Sequence, residues 1–285
     1  EEKQMKKILL ATTALVATTG FAAAELTWTG SANVGMKYSD NGTTTVHSEI
    51  DLGVAASGET DGGIGWAVEM GLDSQTADSV ATDAADGGSV ALTGDFGTVS
   101  VGNVSTAGTS IGLADVGFDT IGIDDAAELG RNAATTDASM DVRWKYAMDD
   151  IALDVSMDSS TDDMAASMKW SSGALAIGIS HAAAGATGGA TANAMSIGTS
   201  VGGFAVNVMA ASHSTSAKDS VGMSASMPVD GLGTVTFVTG SNDTDAKSSW
   251  GLGFSKSLGG GASLAGAYGS ANGNDKADLG ISLSF

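Results

Sequence analysis

Apolar and polar residues alternate along this chain from Leu26 onward. Between Leu26 and Tyr38 every second residue is apolar or small, and the intervening residues are polar or glycine. A period of two places the two sets on opposite faces of a β-strand. The pattern recurs as far as Phe285, and the segments between turns predict about sixteen strands.

Charged residues follow the same alternation, because nearly every charge within a predicted strand lies in the polar set. These residues are Lys37, Glu49, Asp51, Glu69, Asp73, Asp141, Arg143, Lys145, Asp154, Asp158, Lys169 and Asp278. A Lys or Arg that faces lipid near the middle of a membrane barrel costs about 2–4 kcal/mol. The clean apolar set therefore favours a barrel whose outer face meets lipid.

Aromatic residues of the apolar set fall near the ends of the predicted strands. If the N-terminus is periplasmic, those near the periplasmic rim are Trp28, Trp66, Tyr146, Trp170, Phe204, Phe254 and Phe285, and those near the outer rim are Tyr38, Trp250 and Tyr268. Two aromatic girdles are typical of outer-membrane barrels. We therefore predict an all-β fold, a transmembrane antiparallel β-barrel.

Short and long connections also alternate along the chain. Asp149-Asp150, Gly202-Gly203 and the turn at 94–97 are short, while 74–88, 182–190 and 240–247 are longer and polar. Short periplasmic turns and long outer loops are typical of such barrels. The longest gap between predicted strands is 103–139, and a loop of that length in a compact fold is usually functional.

The N-terminus has the three parts of a secretory signal peptide. Met5 is followed by two lysines, residues 8–19 are apolar, and Ala22–Ala24 form a small-residue cleavage site. The apolar stretch is short for a membrane helix, which needs about 20 residues. The predicted division is 1–4 as an upstream extension, 5–24 as the signal peptide and 25–285 as the barrel domain.

Composition narrows the possible partners. The formal net charge is -21 and there is no cysteine. An acidic chain cannot neutralise a phosphate backbone, so nucleic acid is excluded as a partner. The absence of cysteine excludes a disulfide framework and a thiolate metal site.

One segment resembles a catalytic motif. Gly108–Gly112 reads G-x-S-x-G, which serves as a nucleophile elbow only between a strand and a helix and with a histidine partner. Here it lies inside the longest loop, and His47, His181 and His213 are far apart in the sequence. We therefore predict no enzyme, with no catalytic residues.

Two acidic loops offer oxygen ligands. Asn242–Asp245 and Asn272–Asp275 could bind Ca²⁺, which prefers such ligands, or could be solvated acidic loops. Divalent ions could also bridge them to anionic lipopolysaccharide. No other cofactor is predicted.

The chain resembles the general diffusion porins of alphaproteobacteria, the Rhodobacter-type family. The resemblance rests on the signal followed by Glu25-Leu26-Thr27, on Gly94–Asn103, and on the terminal Leu283-Ser284-Phe285. It implies a sixteen-stranded homotrimeric barrel in the outer membrane of a Gram-negative bacterium. Small hydrophilic solutes and ions would cross it by passive diffusion.

The resemblance also implies that the third outer loop folds into the lumen, and residues 103–139 match that loop. The carboxylates expected at the constriction are Asp115, Asp119, Asp124, Asp125 and Glu128. The basic residues expected on the opposing wall are Lys37, His47, Arg143, Lys145 and Lys169. In the family, such groups face each other across the narrowest point.

This sequence departs from the family in having only two arginines beyond the signal, Arg131 and Arg143. The excess of acid predicts a wide, cation-preferring pore, since rings of acidic side chains favour cations. Two alternatives stay open. A secreted acidic Ca²⁺-binding β-protein would show a fixed short repeat, and an outer-membrane barrel of non-channel function, such as a lipase, would need a serine–histidine pair facing lipid.

Overall fold

The computed structural model describes residues 25–40, 42–76, 85–131, 140–185, 189–214 and 219–285. The predicted upstream extension 1–4 and signal peptide 5–24 lie outside the described residues. Within the described part, no helix is both long enough and apolar enough to span a membrane.

The described chain contains sixteen strands and one short helix. The strands are β1 (Glu25–Ser39), β2 (Thr43–Glu59), β3 (Gly65–Thr76), β4 (Ala85–Gly94), β5 (Gly97–Val104), β6 (Met140–Met148), β7 (Ile151–Asp158), β8 (Asp163–Ser172), β9 (Leu175–Ala183), β10 (Thr191–Val201), β11 (Phe204–His213), β12 (Ser220–Val229), β13 (Gly233–Asn242), β14 (Ser249–Gly259), β15 (Ala262–Ala271) and β16 (Asn274–Ser284). The helix is α1 (Asp125–Glu128), which lies between β5 and β6.

The strands form one closed antiparallel barrel in which each strand pairs with its neighbours in sequence and β1 pairs with β16. At the seam the amide of Gly30 donates to the carbonyl of Phe285 at 2.7 Å, and the amide of Phe285 donates back at 2.9 Å. Closure leaves no strand edge with unpaired backbone groups, which is what the hydrocarbon core of a membrane requires. The predicted sixteen-stranded barrel is confirmed.

The apolar set faces outward along the whole barrel. Trp28 is 66% exposed and Val46 is 62% exposed, and the other large exposed apolar side chains continue this surface around the strands. Inward-facing positions carry the polar set, as Lys37 opposite Asp278 and Thr45 illustrates. An apolar exterior around a polar interior is the arrangement expected of a barrel whose outer surface contacts lipid.

Aromatic rings lie at both rims. Near the β6–β7 turn, Trp144 and Tyr146 stack with their ring centroids 5.8 Å apart. At the opposite end, Trp250 and Tyr268 meet edge to face at 5.9 Å. At the first of these rims the indole nitrogen of Trp144 also has a partner, because Nε1 donates to the carbonyl of Phe96 at 2.8 Å.

The strand ends agree with the predicted connections except in one place. The long gap after β5 begins and ends close to the predicted 103–139. The predicted loop 74–88 is too long, because β3 continues to Thr76 and β4 begins at Ala85. Ladder pairing extends both strands through residues that carry no apolar pattern: Thr76 of β3 opposes Ser48 of β2, and Ala85 of β4 opposes Leu72 of β3.

Inside the barrel, residues 105–131 supply eight of the twenty buried apolar residues of the described chain, among them Ile111, Ile121 and Ile123. Three small clusters join this segment to inward-facing side chains. The clusters are Ala107 with Ala165 and Ala182, Ile111 with Ala194, Met209 and Ala211, and Val116, Ile121 and Ile123 with Val238. We call residues 105–131 the lumenal segment.

Candidate functional site: the lumen and the segment within it

Hydrogen bonds attach the lumenal segment to the wall along a path that crosses most of the barrel. Near its start, the amide of Ala107 donates to Ser156 Oγ of β7 at 2.8 Å. Further along, Asn207 Nδ2 of β11 donates to the carbonyl of Gly112 at 2.6 Å. Around α1, Ser220 Oγ of β12 donates to the carbonyl of Ala127 at 2.5 Å and accepts from the amide of Gly130 at 3.2 Å.

Glycines in the inward-facing set make room for this segment. A Cβ atom at Gly240 would lie 2.9 Å from the Cβ of Ala127, and one at Gly251 would lie 3.0 Å from Ile123 and 3.1 Å from Val116. Both separations are shorter than the ordinary contact distance between carbon atoms, about 3.5–4.0 Å. We call the inward-facing residues of β7 to β16 that contact the lumenal segment the covered wall.

The far tip of the lumenal segment reaches the barrel seam at Phe118 and Asp119. Both amides donate to Asp278 Oδ2 of β16, at 3.0 and 3.3 Å. Asp119 Oδ2 lies 2.5 Å from Lys37 Nζ of β1 and 3.3 Å from His47 Nε2 of β2. Among the five expected constriction carboxylates, Asp119 is therefore the one that meets two of the expected wall residues.

The other four expected carboxylates lie together around α1. Glu128 accepts a hydrogen bond from the amide of Leu113 at 2.8 Å and pairs with Arg131 of the same segment at 2.7 Å. Asp115 and Asp125 are exposed, whereas Asp124 is only 6% exposed. None of the four pairs with a wall cation within the described residues.

Burial changes the ionisation of this group. The pKa of Asp124 is raised from its usual 3.8 to about 8, first by burial, then by a hydrogen bond with Asp115 and by repulsion from Asp115, Asp125 and Glu128. Burial also raises the pKa of Glu128, although Arg131 opposes the shift. The raised pKa favours the protonated form of Asp124 at neutral pH, so the segment carries less negative charge than its sequence indicates.

The remaining expected wall cations are not opposite the lumenal carboxylates. Arg143 forms a two-pronged ion pair with Asp154 of the neighbouring strand, at 2.8 and 2.6 Å, and also donates to Ser105 Oγ. Lys145 is exposed and Lys169 is half-buried, and neither makes an ion pair in the part of the chain that the structure describes. Arg143 thus anchors the start of the segment with its charge already neutralised.

Three carboxylates on β2 and β3 form an acidic wall: Glu49, Asp51 and Glu69. Neutral side chains donate to them: Asn33 to Glu49 at 3.3 Å, Ser31 to Asp51 at 2.8 Å and Ser89 to Glu69 at 3.0 Å. Glu69 also lines a cavity of about 280 Å³. Neutral donors orient these groups and leave their negative charge in place.

The acidic wall and Asp278 were not among the residues expected at the pore from the sequence. The alternation did place all four in the inward-facing set. The sequence contained a signal for the acidic wall, since β2 and β3 carry inward acids where a strand such as β14 carries only glycine and serine. That contrast marks the side of the lumen which the segment leaves open.

The Gly108–Gly112 motif forms a turn of the lumenal segment. The amide of Ile111 donates to the carbonyl of Gly108 at 2.9 Å. Arg131 Nη1 donates to the carbonyls of Thr109 and Ile111, at 3.3 and 3.0 Å. The turn therefore stabilises the segment and lacks the strand-to-helix geometry of a nucleophile elbow.

Comparisons with known proteins agree with this architecture. A family model described as Gram-negative porin matches residues 11–282. A triple mutant of the Rhodopseudomonas blastica porin aligns with a TM-score of 0.79 and 18% identity, covering 92% of this chain and 100% of that chain. A mutant of the same porin with five substitutions aligns with a TM-score of 0.80 and 19% identity, over the same shares. No curated protein sequence matches the chain.

At these identities the solved structures establish the fold, and the family model establishes the family. A closed barrel with an apolar exterior and a polar lumen agrees with both. Family and fold point to a channel rather than an enzyme. The chain belongs to the Gram-negative porin family and is a β-barrel of the outer membrane.

Proposed function

We propose that this porin passes small hydrophilic solutes and ions by passive diffusion, prefers cations and has no enzymatic activity. The observation that supports the preference is the acidic wall. Glu49, Asp51 and Glu69 face the lumen and receive hydrogen bonds from neutral donors, which leave their charge in place.

The cations in and around the lumen offset only part of this charge, because three of them are paired and only Lys145 and Lys169 of the expected wall residues are without an ion pair in the described chain. Lys37 is held by Asp119, Arg143 by Asp154 and Arg131 by Glu128. Each of these pairs is close to neutral, whereas the acidic wall stays negative. Carboxylates that line a water-filled pore raise the local concentration of cations and lower that of anions.

Reversal potentials in planar bilayers under a KCl gradient test this preference. We expect a sign that reports potassium passing more readily than chloride. We also expect the preference to weaken as the salt is raised from 0.1 to 1 M, because the screening length falls from about 10 Å to about 3 Å. A chloride-preferring channel would contradict the proposal. Swelling of porin-containing liposomes in neutral sugars tests diffusion separately.

We propose that the functional unit is a homotrimer that contacts lipopolysaccharide, on the basis of the family resemblance. The apolar outer face is continuous enough to pack against lipid or against a second barrel. Native mass spectrometry from detergent tests the assembly. A monomer as the main species under conditions that keep conductance would contradict it.

Calcium binding by the acidic outer loops stays a prediction. In the structure Asp245 accepts from Asn242 Nδ2 at 3.0 Å and from Asn272 Nδ2 at 3.1 Å, so hydrogen bonds already connect these two loops. Calcium would have to replace those bonds. A lower melting temperature after treatment with a calcium chelator would support binding, and an unchanged one would count against it.

A further inference from the structure

His47 is a buried side chain that the channel proposal does not use. It lies on the inward face of β2, where the tip of the lumenal segment covers it, and it is only 7% exposed. Neither ring nitrogen takes part in a hydrogen bond of normal geometry. A buried polar group without a partner costs free energy, so such a group in a folded protein calls for a physical explanation.

The surroundings of the His47 ring suggest a physical explanation for its unpartnered nitrogens. Nε2 lies 3.5 Å from Glu49 Oε2 and 3.3 Å from Asp119 Oδ2. These separations exceed the usual hydrogen-bond range of about 2.7–3.2 Å. They match a different geometry, because two atoms each about 2.0–2.2 Å from a zinc ion at the tetrahedral angle lie about 3.4 Å apart. The three ligand atoms lie within 4.8 Å of one another.

We propose that His47, Glu49 and Asp119 form a binding site for Zn²⁺ inside the lumen. One imidazole and two carboxylates are a ligand set that zinc accepts, whereas Ca²⁺ and Mg²⁺ prefer oxygen ligands alone. Three protein ligands leave a fourth position for water or a solute from the lumen. This site goes beyond passive diffusion and does not depend on it.

The fold holds these ligands in place before any metal arrives. His47 and Glu49 are two residues apart on one strand, so they share a face. Asp119 is positioned by its own amide, which donates to Asp278. The ring of Phe118 packs edge to face against His47, with centroids 5.6 Å apart, and shields one side of the imidazole. Bound zinc would therefore join the tip of the lumenal segment to β2.

Lys37 is the natural competitor at this site. Its ammonium lies 2.5 Å from the same oxygen of Asp119 that faces His47. Zinc must displace this cation in order to use that oxygen. A variant that removes the charge and keeps the aliphatic chain, Lys37→Met, is therefore expected to bind zinc more tightly than the natural protein.

Isothermal titration of the detergent-solubilised, full-length mature porin with zinc chloride tests the site. We expect one zinc ion per chain, with binding weakened roughly tenfold or more in His47→Gln and in Glu49→Gln, and strengthened several-fold in Lys37→Met. The matched control is His181→Gln. His181 pairs with Asn193 at 2.9 Å, and its replacement is expected to leave zinc binding unchanged.

Three results would overturn the proposal: unchanged affinity in His47→Gln, weaker binding in Lys37→Met, or equal binding of calcium chloride. If His47→Gln fails to assemble, the Lys37→Met variant and the visible absorption of Co²⁺ bound to the natural protein decide the matter. A four-coordinate, imidazole-containing cobalt spectrum supports the site, and a six-coordinate all-oxygen spectrum contradicts it. Since these measurements are made in detergent, they stand whether or not the protein conducts ions.

Discussion

Two regions of the inner face have the same alternation and opposite roles. On the covered wall, inward positions such as Gly222, Gly240 and Gly251 are occupied by the smallest residue, and protein packs against them. On the acidic wall, inward positions hold carboxylates such as Asp51 and Glu69, which accept hydrogen bonds from the neutral hydroxyls of Ser31 and Ser89. The two regions thus differ in what their inward residues do: the glycines of the covered wall make room for the lumenal segment, and the carboxylates of the acidic wall remain on the open side of the lumen.

The two regions also differ in what stabilises them. Ile123 and Val238 on the covered side are fully buried, and complete burial of such a side chain contributes about 1.5–3 kcal/mol. The acidic wall has no comparable cluster within the described residues. The lumenal segment should therefore respond most to changes in packing, and ion selectivity should respond most to changes in charge.

The largest expected effect comes from filling the space on the covered wall. Gly240→Ala would place a Cβ 2.8 Å from the amide nitrogen of Ala127, so α1 must shift or lift away. Overpacking of this kind costs about 1–3 kcal/mol, and we expect a larger single-channel conductance and a lower melting temperature. The matched control is Gly198→Ala on β10, where the nearest atom would be 3.7 Å away. Equal behaviour of the two variants would contradict the role of the covered wall.

The second largest effect is a shift in ion selectivity, caused by changing a charge on the acidic wall. Glu69→Lys reverses one charge on the acidic wall, so the reversal potential should move toward chloride, most clearly at low salt. Single-channel conductance should change less than in Gly240→Ala. Glu59→Lys makes the same exchange at an exposed position where β2 ends. If it shifts selectivity as much as Glu69→Lys, the acidic wall does not set the preference.

The third effect depends on pH. Because the folded protein raises the pKa of Asp124, the segment favours the protonated carboxyl. The stability that this group contributes is complete below its usual pKa of 3.8 and is lost as the pH rises toward about 8. Hydrogen exchange should show the protection factors of residues 121–130 falling from about pH 4 to about pH 8 and levelling off above that.

Asp124→Asn should remove this dependence, since the amide cannot ionise. Asp125→Asn changes an exposed carboxyl next to it and should leave most of the dependence in place. If protection falls with pH in the same way in the natural protein and in Asp124→Asn, a group other than Asp124 is responsible for the change.

The smallest effect concerns single hydrogen bonds. Ser220→Ala removes the hydroxyl that donates to Ala127 and accepts from Gly130, at a cost of about 0.5–1.5 kcal/mol per bond. Faster exchange of the Gly130 amide with unchanged selectivity is the expected result. Ser226→Ala lies on the same face of the same strand, where the hydroxyl pairs with Thr236 and not with the segment, and should leave that amide unaffected.

Local pattern was sufficient for much of the fold. The alternation from Leu26 to Tyr38 predicts both that β1 is a strand and that Lys37 faces inward, because a period of two is a property of the single strand. The bounds of the long gap were predicted to within two residues for the same reason. The loop at 74–88 was predicted too long, since the polar ends of β3 and β4 are held by partners on other strands.

The arrangement within the lumen required the tertiary structure. Alternation tells whether a side chain faces inward, but its height and position around the barrel depend on the stagger of all sixteen strands. The sequence placed five acids on the lumenal segment, and only the folded barrel brings Asp119 to Lys37 and His47. The carboxylate that positions this tip, Asp278, lies 160 residues beyond Phe118 and reaches it only because β16 closes onto β1.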